Sequence, residues 1–540
     1  MTLPSAGAAP AARAASRFAK LRAVGDDPPL EGHAGGPGPA HHQATTAAAQ
    51  ARFPFSGRLL LLGCGSVSRC LQPLLLRHLD MDLTKLTVLD FDGRATPDAE
   101  LLAAGAGMVR HRITRDNLAA TLADRLGPGD LLVNLTWDID TGDLIGWCQD
   151  HGVLYVDTSV ELWDNTFADH AATDPTDRTL YVRHIDLRRR AARWGPTGPT
   201  AVVEHGANPG LVSHWTKVAL RDVAAAMLAE PDRLPAPLEP ARRARLEAAL
   251  AAGDDARLAM ETGTKVIHIS ERDTQISDRP KEVGEFVNTW SIAGFYEEGT
   301  ATAELGWGTH ERHLPPGAHQ HRTGPRNQIC LARPGMDTYV RSWVPLGGQV
   351  EGMVIRHGEA FTISDHLTVW EGDRPLYRPT VHYAYLPTDA AMASLHECRM
   401  TGYRLQDRQR IMADDIVSGA DELGVLLLGH DLNGWWTGSQ LDIKEARELV
   451  PQQNATTLQV ASSVLGAVAW MLRNPNRGLC VPDDLDHQQV LQVAGPYLGP
   501  CPSIPTSWTP LAQRGYPFEQ VTGGRPGDQD VWQFTTFLVP

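Results

Sequence analysis

The fold is decided by residues 58–68, which read RLLLLGCGSVS in a chain of 540 residues. The apolar run predicts a buried strand that stops at Gly63, and the spacing of the apolar residues after it predicts a helix over Ser66–Leu79. A second apolar run, Leu86–Leu89, ends in Asp90. Strand, glycine turn, helix, strand and acid in this order are typical of the first β-α-β unit of a dinucleotide-binding sheet.

The glycine turn predicts how a dinucleotide would bind. Gly63 and Gly65 let the backbone turn and approach a pyrophosphate, whose charge is met by the N-terminus of the helix. Ser68 stands where the usual motif has a third glycine, so an ordinary strand-to-helix turn is the alternative. Asp90 follows Gly63 by 27 residues, at the position where a carboxylate binds ribose hydroxyls and repels a 2′-phosphate. This favours NAD over NADP, although Arg94, which could bind a 2′-phosphate, is close in sequence. The residues expected to contact the cofactor are Gly63, Gly65, Ser66, Val67, Asp90, Asn134, Thr136, Asp157 and Thr158.

Predicted strands and short helices continue to alternate as far as residue 205. This alternation indicates a parallel, doubly wound sheet. The predicted fold class is therefore α/β, with a Rossmann-type parallel sheet domain followed by a larger mixed α/β domain. We expect a disordered Ala/Gly/Pro-rich tail (1–52), an NAD-binding Rossmann domain (53–205), a mixed substrate domain (206–414), and C-terminal helices and a tail (415–540) that pack back on the Rossmann domain.

Composition restricts the class of protein. The formal net charge is −15, and a negative field repels nucleic-acid phosphates and anionic membranes while it attracts cationic small molecules. The seven cysteines form no C-x-x-C pair, so we expect no disulfide framework and a reducing compartment, the cytoplasm. The most apolar helical run, about Leu458 to Leu472, contains Gln459, Ser462 and Ser463, and we interpret it as a buried helix rather than a membrane span.

Polar residues follow two neighbouring predicted strands, at the edge where open α/β sheets place their ligands. Asp138 follows one strand, and Asp157 and Glu161 follow the next. Carboxylates there either bind a cation and shuttle protons or cap the following helices. Asn208, in the turn GANPG at 206–210, likewise either contacts a ligand or caps a helix.

A group of four histidines raises the question of a metal. Their spacing is not completed to a metal site by nearby cysteines or carboxylates, so we expect no bound metal. The sequence also contains no Walker loop, G-x-S-x-G elbow or H-E-x-x-H motif, which argues against those enzyme classes. The four residues are His310, His313, His319 and His321.

Seven strings stand out along the chain: LGCGS (62–66), GANPG (206–210), ERDTQ (271–275), NTWS (288–291), ELGWGTHE (304–311), DELGVLL (421–427) and PYLGP (496–500). In this order they resemble the bacterial homospermidine synthases, which are relatives of the saccharopine dehydrogenase group. One such string would mean little, whereas seven collinear ones are specific. The likeness runs from about Ser56 to about Leu511.

The resemblance implies a reaction. In the family, NAD⁺ takes a hydride from putrescine, the amine of a second putrescine displaces ammonia from the resulting imine, and the hydride returns to give homospermidine. NAD is therefore expected as a recycled cofactor, with putrescine or spermidine as the diamine. The resemblance also implies a homodimer, whose contact is expected in the mixed domain. We expect no nucleic-acid or membrane partner.

The same resemblance assigns roles residue by residue. Glu271 and Glu298 are similar to carboxylates that bind the diamine or relay protons, and the choice of general base stays open. Trp290 is similar to a tryptophan that faces the cation, and His357 to a proton shuttle, although the segment RHGE at 356–359 matches the family less closely. The expected catalytic residues are Glu271, Trp290, Glu298 and His357. The expected substrate-binding residues are Asp138, Glu161, Asn208 and Asp421.

Two other functions compete with this interpretation. One is a different saccharopine-dehydrogenase-like oxidoreductase, acting on an amino acid or a carboxylated polyamine with net turnover of NAD(P)H. Such a pocket should contain an arginine clamp for the carboxylate. The other is a catalytically silent NAD-binding sensor or scaffold, which should have lost some of the ionisable residues of the pocket.

Overall fold

The computed structural model describes residues 52–163, 174–512 and 531–539. The predicted disordered tail, 1–52, lies outside these residues except for Arg52. The strands, numbered along the chain, are β1 Phe53–Pro54, β2 Leu59–Leu62, β3 Leu79–Asp80, β4 Leu86–Asp90, β5 Gly107–Arg110, β6 Leu131–Asn134, β7 Leu154–Asp157, β8 Ala201–Val202, β9 Val266–Asp273, β10 Ile276–Ser277, β11 Glu285–Asn288, β12 Thr302–Gly306, β13 Ala318–Gln320, β14 Gln328–Pro334, β15 Tyr339–Val344, β16 Gly348–Met353, β17 Val369–Glu371, β18 Arg374–Tyr377, β19 Thr380–Leu386, β20 Arg408–Ile411, β21 Ile416–Ser418, β22 Ala420–His430, β23 Asn433–Asp442, β24 Leu479–Cys480 and β25 Ser503–Thr506. The α-helices are α1 Ser66–His78, α2 Ala99–Ala103, α3 Leu118–Ala123, α4 Thr141–His151, α5 Leu180–Trp194, α6 Leu211–Ala229, α7 Pro240–Ala252, α8 Asp255–Thr262, α9 Ile292–Thr300, α10 Glu359–His366, α11 Asp389–Met400, α12 Ile443–Leu449, α13 Ala455–Arg473, α14 His487–Ala494 and α15 Phe534–Phe537.

The first sheet has seven parallel strands in the order β24-β8-β7-β6-β2-β4-β5. Strand β2 consists of four leucines because both of its faces are covered. Leu59 and Leu61 pack in one core with α1 and α13, whereas Leu60 and Leu62 pack in the opposite core with α4. The direction of strand order reverses between β2 and β6, and open sheets of this kind bind ligands at such a point. The predicted Rossmann-type parallel sheet is confirmed.

The second sheet has ten strands in the order β13-β14-β12-β19-β9-β22-β23-β25, and β16 joins β15 to the side of β19. Strand β9 lies parallel to β19 and antiparallel to β22, so the sheet is mixed. Its alternating side chains face two cores: Ile267 and Ile269 pack with helix α6, whereas Val266 packs in the core on the opposite face. The predicted larger mixed domain is confirmed.

The segment 415–540 contributes to both sheets. It provides β22, β23 and β25 to the mixed sheet and β24 to the parallel sheet. Helix α13 lies where the sequence predicts a helix. The pattern gives no sign of β22 and β23, because these strands are buried on both faces and therefore do not alternate.

Helix α13 covers one face of the parallel sheet beside α1. Among the described residues it is the one helix long and apolar enough to cross a membrane, and 89% of its apolar window is buried inside the protein. Helix α13 thus links the C-terminal segment to the dinucleotide-type sheet through apolar packing.

The seven cysteines all carry free thiols.

Candidate active site

A cavity of about 710 Å³ is lined on one side by the carboxyl ends of the parallel strands and on the other by the mixed sheet and helix α9. We call the first side the cofactor wall; it consists of Gly63, residues 65–68, Asp90, Thr136 and Thr158. We call the second side the substrate wall; it consists of Glu161, Asn208, Glu271, Trp290, Glu298, His357 and Tyr383. Four residues predicted from the sequence are described but do not line the cavity: Asn134, Asp138, Asp157 and Asp421.

The glycine turn of the cofactor wall leaves room for a ligand. Gly63 has a φ of +88°, and a Cβ there would lie 2.7 Å from the carbonyl oxygen of Leu135, so glycine is required for the turn. A Cβ on Gly65 would meet nothing within 4 Å, because the space in front of it belongs to the cavity. Helix α1 starts here without a side-chain cap, so its first amides remain available. These features fit a bound pyrophosphate.

Asp90 lies at the end of β4, on the cofactor wall. Its carboxylate accepts hydrogen bonds from the backbone amides of Cys64, at 2.6 Å, and Asp92, at 2.8 Å, so it also holds the glycine turn in place. Arg94 lines the same end of the cavity but forms an ion pair with Asp92 at 3.0 Å. A carboxylate in this position suits the ribose hydroxyls of NAD and repels a 2′-phosphate.

Two predicted cofactor residues act behind the cofactor wall. The side-chain oxygen of Asn134 accepts from the Thr136 hydroxyl at 2.6 Å, and Asp157 accepts from the Tyr155 hydroxyl at 2.7 Å. Asp157 also accepts from the backbone amide of Glu204 at 2.7 Å. Both residues are buried, and Asn134 also donates to the Tyr155 hydroxyl of the neighbouring strand at 3.2 Å, so both tie strand ends together. They therefore support residues that line the cavity and do not line it themselves.

Three buried carboxylates lie together at the substrate wall, and two of them, Asp273 and Asp421, lie behind it. Glu271 and Asp273 are on the same face of β9, and Asp421 of the neighbouring β22 is paired with Asp273. The Thr456 hydroxyl donates to Asp421 at 2.6 Å and lies 3.4 Å from Asp273. Burial raises the pKa of Asp273 to about 6, and burial together with the charges of Glu271 and Asp273 raises the pKa of Asp421 well above its usual range.

Glu271 is the member of this cluster that lines the cavity. Its Oε2 accepts a hydrogen bond from the hydroxyl of Tyr383 and another from the Asn208 amide at 3.3 Å. Burial raises the pKa of Glu271 to about 8, against the opposing effect of the Tyr383 hydroxyl. A carboxylate with a pKa in this range can both take up and release a proton near neutral pH.

His357 lies between two carboxylates. Its Nε2 is 3.0 Å from Glu298 and its Nδ1 is 3.3 Å from Glu359. Burial opposes the charged ring, but the charges of Glu298 and Glu359 raise the pKa of His357 well above its usual range. The imidazolium therefore holds the Glu298 carboxylate, which lines the cavity.

An ionic network closes the substrate wall beside β7. Arg183 and Arg356 both contact Oε1 of Glu297, and the distance to Arg183 is 2.7 Å. Burial opposes ionisation, but Arg356 and Arg183 lower the pKa of Glu297 to about 2. Glu161 lies 3.9 Å from Arg183, and burial followed by the charge of Glu297 raises its pKa to about 7. Asp138, outside the lining, is half-buried with a φ of 68°.

Trp290 lies at the start of helix α9 and lines the cavity. Its indole Nε1 donates to the hydroxyl of Tyr385 at 3.4 Å, and its ring packs against Phe295 with centroids 5.5 Å apart. An indole held in this way can offer a ring face to a cation. The roles of Tyr383, Tyr385 and Glu359 carry no signal in the sequence, since each depends on contacts between distant segments.

His310 and His321 do not line the cavity and contact other parts of the chain. His310 Nε2 is 2.9 Å from the backbone oxygen of Trp532, and His321 stacks on Tyr181 with centroids 3.8 Å apart. Among the described residues, no group of three or more histidines, cysteines or carboxylates is arranged to hold a metal ion.

The parallel sheet and the mixed sheet each coincide with a domain of the saccharopine dehydrogenase family. Residues 59–202 match the saccharopine dehydrogenase NADP binding domain, and residues 206–501 match the saccharopine dehydrogenase C-terminal domain.

More specific relatives define the family. The homospermidine synthase of Blastochloris viridis is 42% identical over 494 residues, which cover 89% of this chain and 97% of the relative. That of Mesorhizobium japonicum is 40% identical over 493 residues, covering 90% and 96%. A crystal structure of the homospermidine synthase of Legionella pneumophila in complex with NAD superimposes with a TM-score of 0.79 at 35% identity, covering 91% of this chain and 99% of that one. The chain belongs to the homospermidine synthase family, as the sequence predicted.

Proposed function

We propose that this chain converts two putrescine molecules into homospermidine and ammonia with NAD as a recycled cofactor. The observation that carries the proposal is the excess of carboxylates at the substrate end of the cavity. Five glutamates line it, against two arginines and one histidine: Glu161, Glu204, Glu271, Glu297, Glu298, Arg183, Arg356 and His357. An acidic pocket of this kind attracts and holds alkylammonium groups.

The arginines of the pocket argue against an amino-acid substrate. Arg183 and Arg356 are both paired with Glu297, so neither is left to clamp a substrate carboxylate. The full set of ionisable groups on the substrate wall argues against a silent NAD-binding protein. A diamine therefore fits the pocket better than either alternative.

The chemistry assigns a proton acceptor to the substrate wall. An alkylammonium has a pKa of about 10.4, and its carbon cannot release a hydride until the nitrogen has lost a proton. We propose that Glu271 takes this proton. Bound NAD accepts the hydride from the amine carbon and later returns it to the imine formed with the second diamine. Two diammonium ions become one triammonium product and one ammonium ion, so each proton that the enzyme takes up must be returned. Asp421 and Asp273 lie beside Glu271 on the paired strands β22 and β9.

The remaining roles are proposed from the same pocket. Trp290 faces the distal ammonium, a contact worth about 0.5–2 kcal/mol. Glu298, held by His357, and Glu161 with Asn208 bind the diamine. Asp138 and Asp421 do not line the cavity, and they are proposed to influence substrate binding indirectly. Spermidine is proposed as an alternative donor of the aminobutyl group.

We further propose a cytoplasmic homodimer without nucleic-acid or membrane partners. The net charge of −15 supports the absence of nucleic-acid and membrane partners, and the free cysteines support the cytoplasm. The homodimer is proposed from the family resemblance. We propose that residues 53–205 bind the cofactor and that residues 206–414 form most of the substrate pocket. Residues 415–540 complete both sheets. Light scattering on the protein as it elutes from a size-exclusion column would measure its molar mass and so test the dimer.

The decisive experiment incubates the purified full chain with putrescine and catalytic NAD⁺ and measures products by mass spectrometry and an ammonia assay. Homospermidine and ammonia in equal amounts, far exceeding the NAD⁺ supplied, are expected. NADH accumulating without homospermidine would indicate a plain amine or amino-acid dehydrogenase. NAD binding without any product would point to the silent binder.

A further inference from the structure

Tyr383 lines the cavity next to the proposed base. Its hydroxyl donates a hydrogen bond to Oε2 of Glu271, the same oxygen that accepts from Asn208 at 3.3 Å. Because both donors meet one oxygen, the carboxylate cannot rotate away from the cavity without breaking two hydrogen bonds. Tyr383 is therefore in a position to fix the direction in which Glu271 meets a substrate.

The ring of Tyr383 is itself held firmly. It stacks on Tyr385, two residues along β19, with centroids 5.1 Å apart and an interplanar angle of 6°. The ring also lies 4.5 Å from that of His357, measured between centroids. Strand β19 runs parallel to β9 with Tyr385 paired to Glu271, so the pairing of the two strands sets the distance between hydroxyl and carboxylate.

We infer that Tyr383 is a positioning residue, which aims the Glu271 carboxylate into the cavity and favours its ionised form; the inference rests on the proposed role of Glu271 as base. The groups that face Glu271 are Tyr383 from β19, Asp273 from its own strand, Asp421 from β22, His357 and Asn208. Asp273 opposes ionisation of Glu271, whereas the Tyr383 hydroxyl, the charged His357 and the hydrogen bond with Asp421 favour it.

The test is the pH dependence of kcat/KM for putrescine in the Tyr383→Phe holoenzyme. Loss of a donor to the ionised carboxylate raises the pKa of the base, so the acid limb should move up by about one pH unit, which is a tenfold loss of rate on that limb. KM should change less than kcat. Tyr403→Phe is the matched control: the Tyr403 hydroxyl also donates to a carboxylate, that of Asp337, but neither residue lines the cavity. Its pH profile should equal that of the wild type.

The outcomes separate the inference from the proposed function. An unshifted acid limb in Tyr383→Phe, or an equal loss at every pH with a lowered thermal midpoint, would overturn the inference while the wild type still makes homospermidine. A wild type that makes none overturns the proposed function and the inference with it. Should Tyr383→Phe fail to fold, Asn208→Ala removes the other donor to the same oxygen and should shift the acid limb in the same direction.

Discussion

The cofactor wall presents backbone amides, glycines and one carboxylate, whereas the substrate wall presents buried side chains that carry charge. Most of the cofactor wall comes from one short segment of the sequence, Gly63 and residues 65–68. The substrate wall is assembled from β9, α9, β19 and loops that are far apart in the chain. The first wall therefore depends on two glycines that let a ligand approach the backbone, and the second depends on a balance between burial and charge.

This difference predicts different consequences of mutation. A change in the cofactor wall should alter the dissociation constant for NAD without changing the pH profile. A change in the substrate wall should alter kcat or the pH profile while NAD still binds. Each substitution below tests this separation.

The largest effect is expected for Glu271→Gln on the substrate wall. The amide keeps the shape of the side chain but cannot take a proton, so kcat should fall by about 10²- to 10⁴-fold. The dissociation constant for NAD should stay unchanged, as measured by titration of protein fluorescence. Glu247→Gln, at an exposed position on helix α7, is the control and should keep full activity. A Glu271→Gln enzyme with more than a tenth of the wild-type rate would show that another group is the base.

A smaller effect is expected for Gly65→Ala on the cofactor wall. A methyl group there meets no protein atom within 4 Å, so the fold should tolerate it, but it occupies the space proposed for the pyrophosphate. The dissociation constant for NAD should rise at least about tenfold, or 1.4 kcal/mol. Gly495→Ala is the control, because its Cβ also meets nothing within 4 Å and it lies away from the cavity. Equal NAD affinity in both variants would contradict the proposed pyrophosphate position.

The two walls also differ in how well the sequence predicts them. The cofactor wall follows from local pattern: the strand and helix around the glycine turn begin and end within a residue or two of their predicted limits. The positions of Asn134 and Asp157 could not be predicted in the same way, because a polar residue at a strand end can face a ligand or tie neighbouring strands together. Here both tie strands together, Asn134 through the Tyr155 hydroxyl and Asp157 through the Glu204 amide.

The substrate wall is predicted by resemblance, and only in part. Glu271 and His357 were found through matching segments, but their partners Tyr383 and Glu359 were not. The reason is physical: Tyr383 meets Glu271 only because β19 pairs with β9, more than a hundred residues apart in sequence. Strands buried on both faces, such as β22, likewise lack the alternation that would reveal them.

A moderate effect is expected for Trp290→Leu. Loss of the aromatic face removes a cation contact of about 0.5–2 kcal/mol, so KM for putrescine should rise about 2- to 30-fold. NAD binding should not change, since the cofactor wall is untouched. Trp290→Phe, which keeps an aromatic face, should recover part of the loss. If both variants raise KM equally, packing rather than the ring face accounts for the effect.

The smallest effect is expected for Glu359→Gln, which removes one of the two carboxylates beside His357. In the wild type the two carboxylates keep His357 charged; they stabilise the fold fully below the ordinary histidine pKa of about 6.5, and this contribution is lost as the pH rises through the raised pKa. The variant should lower that pKa, so the alkaline limb of kcat/KM should move down by about half a pH unit while the acid limb, set by Glu271, stays in place. Glu371→Gln, at an exposed position, should leave both limbs unchanged. An alkaline limb that does not move in Glu359→Gln would mean that Glu298 alone keeps His357 charged. The charge on this part of the substrate wall would then depend on one carboxylate instead of two.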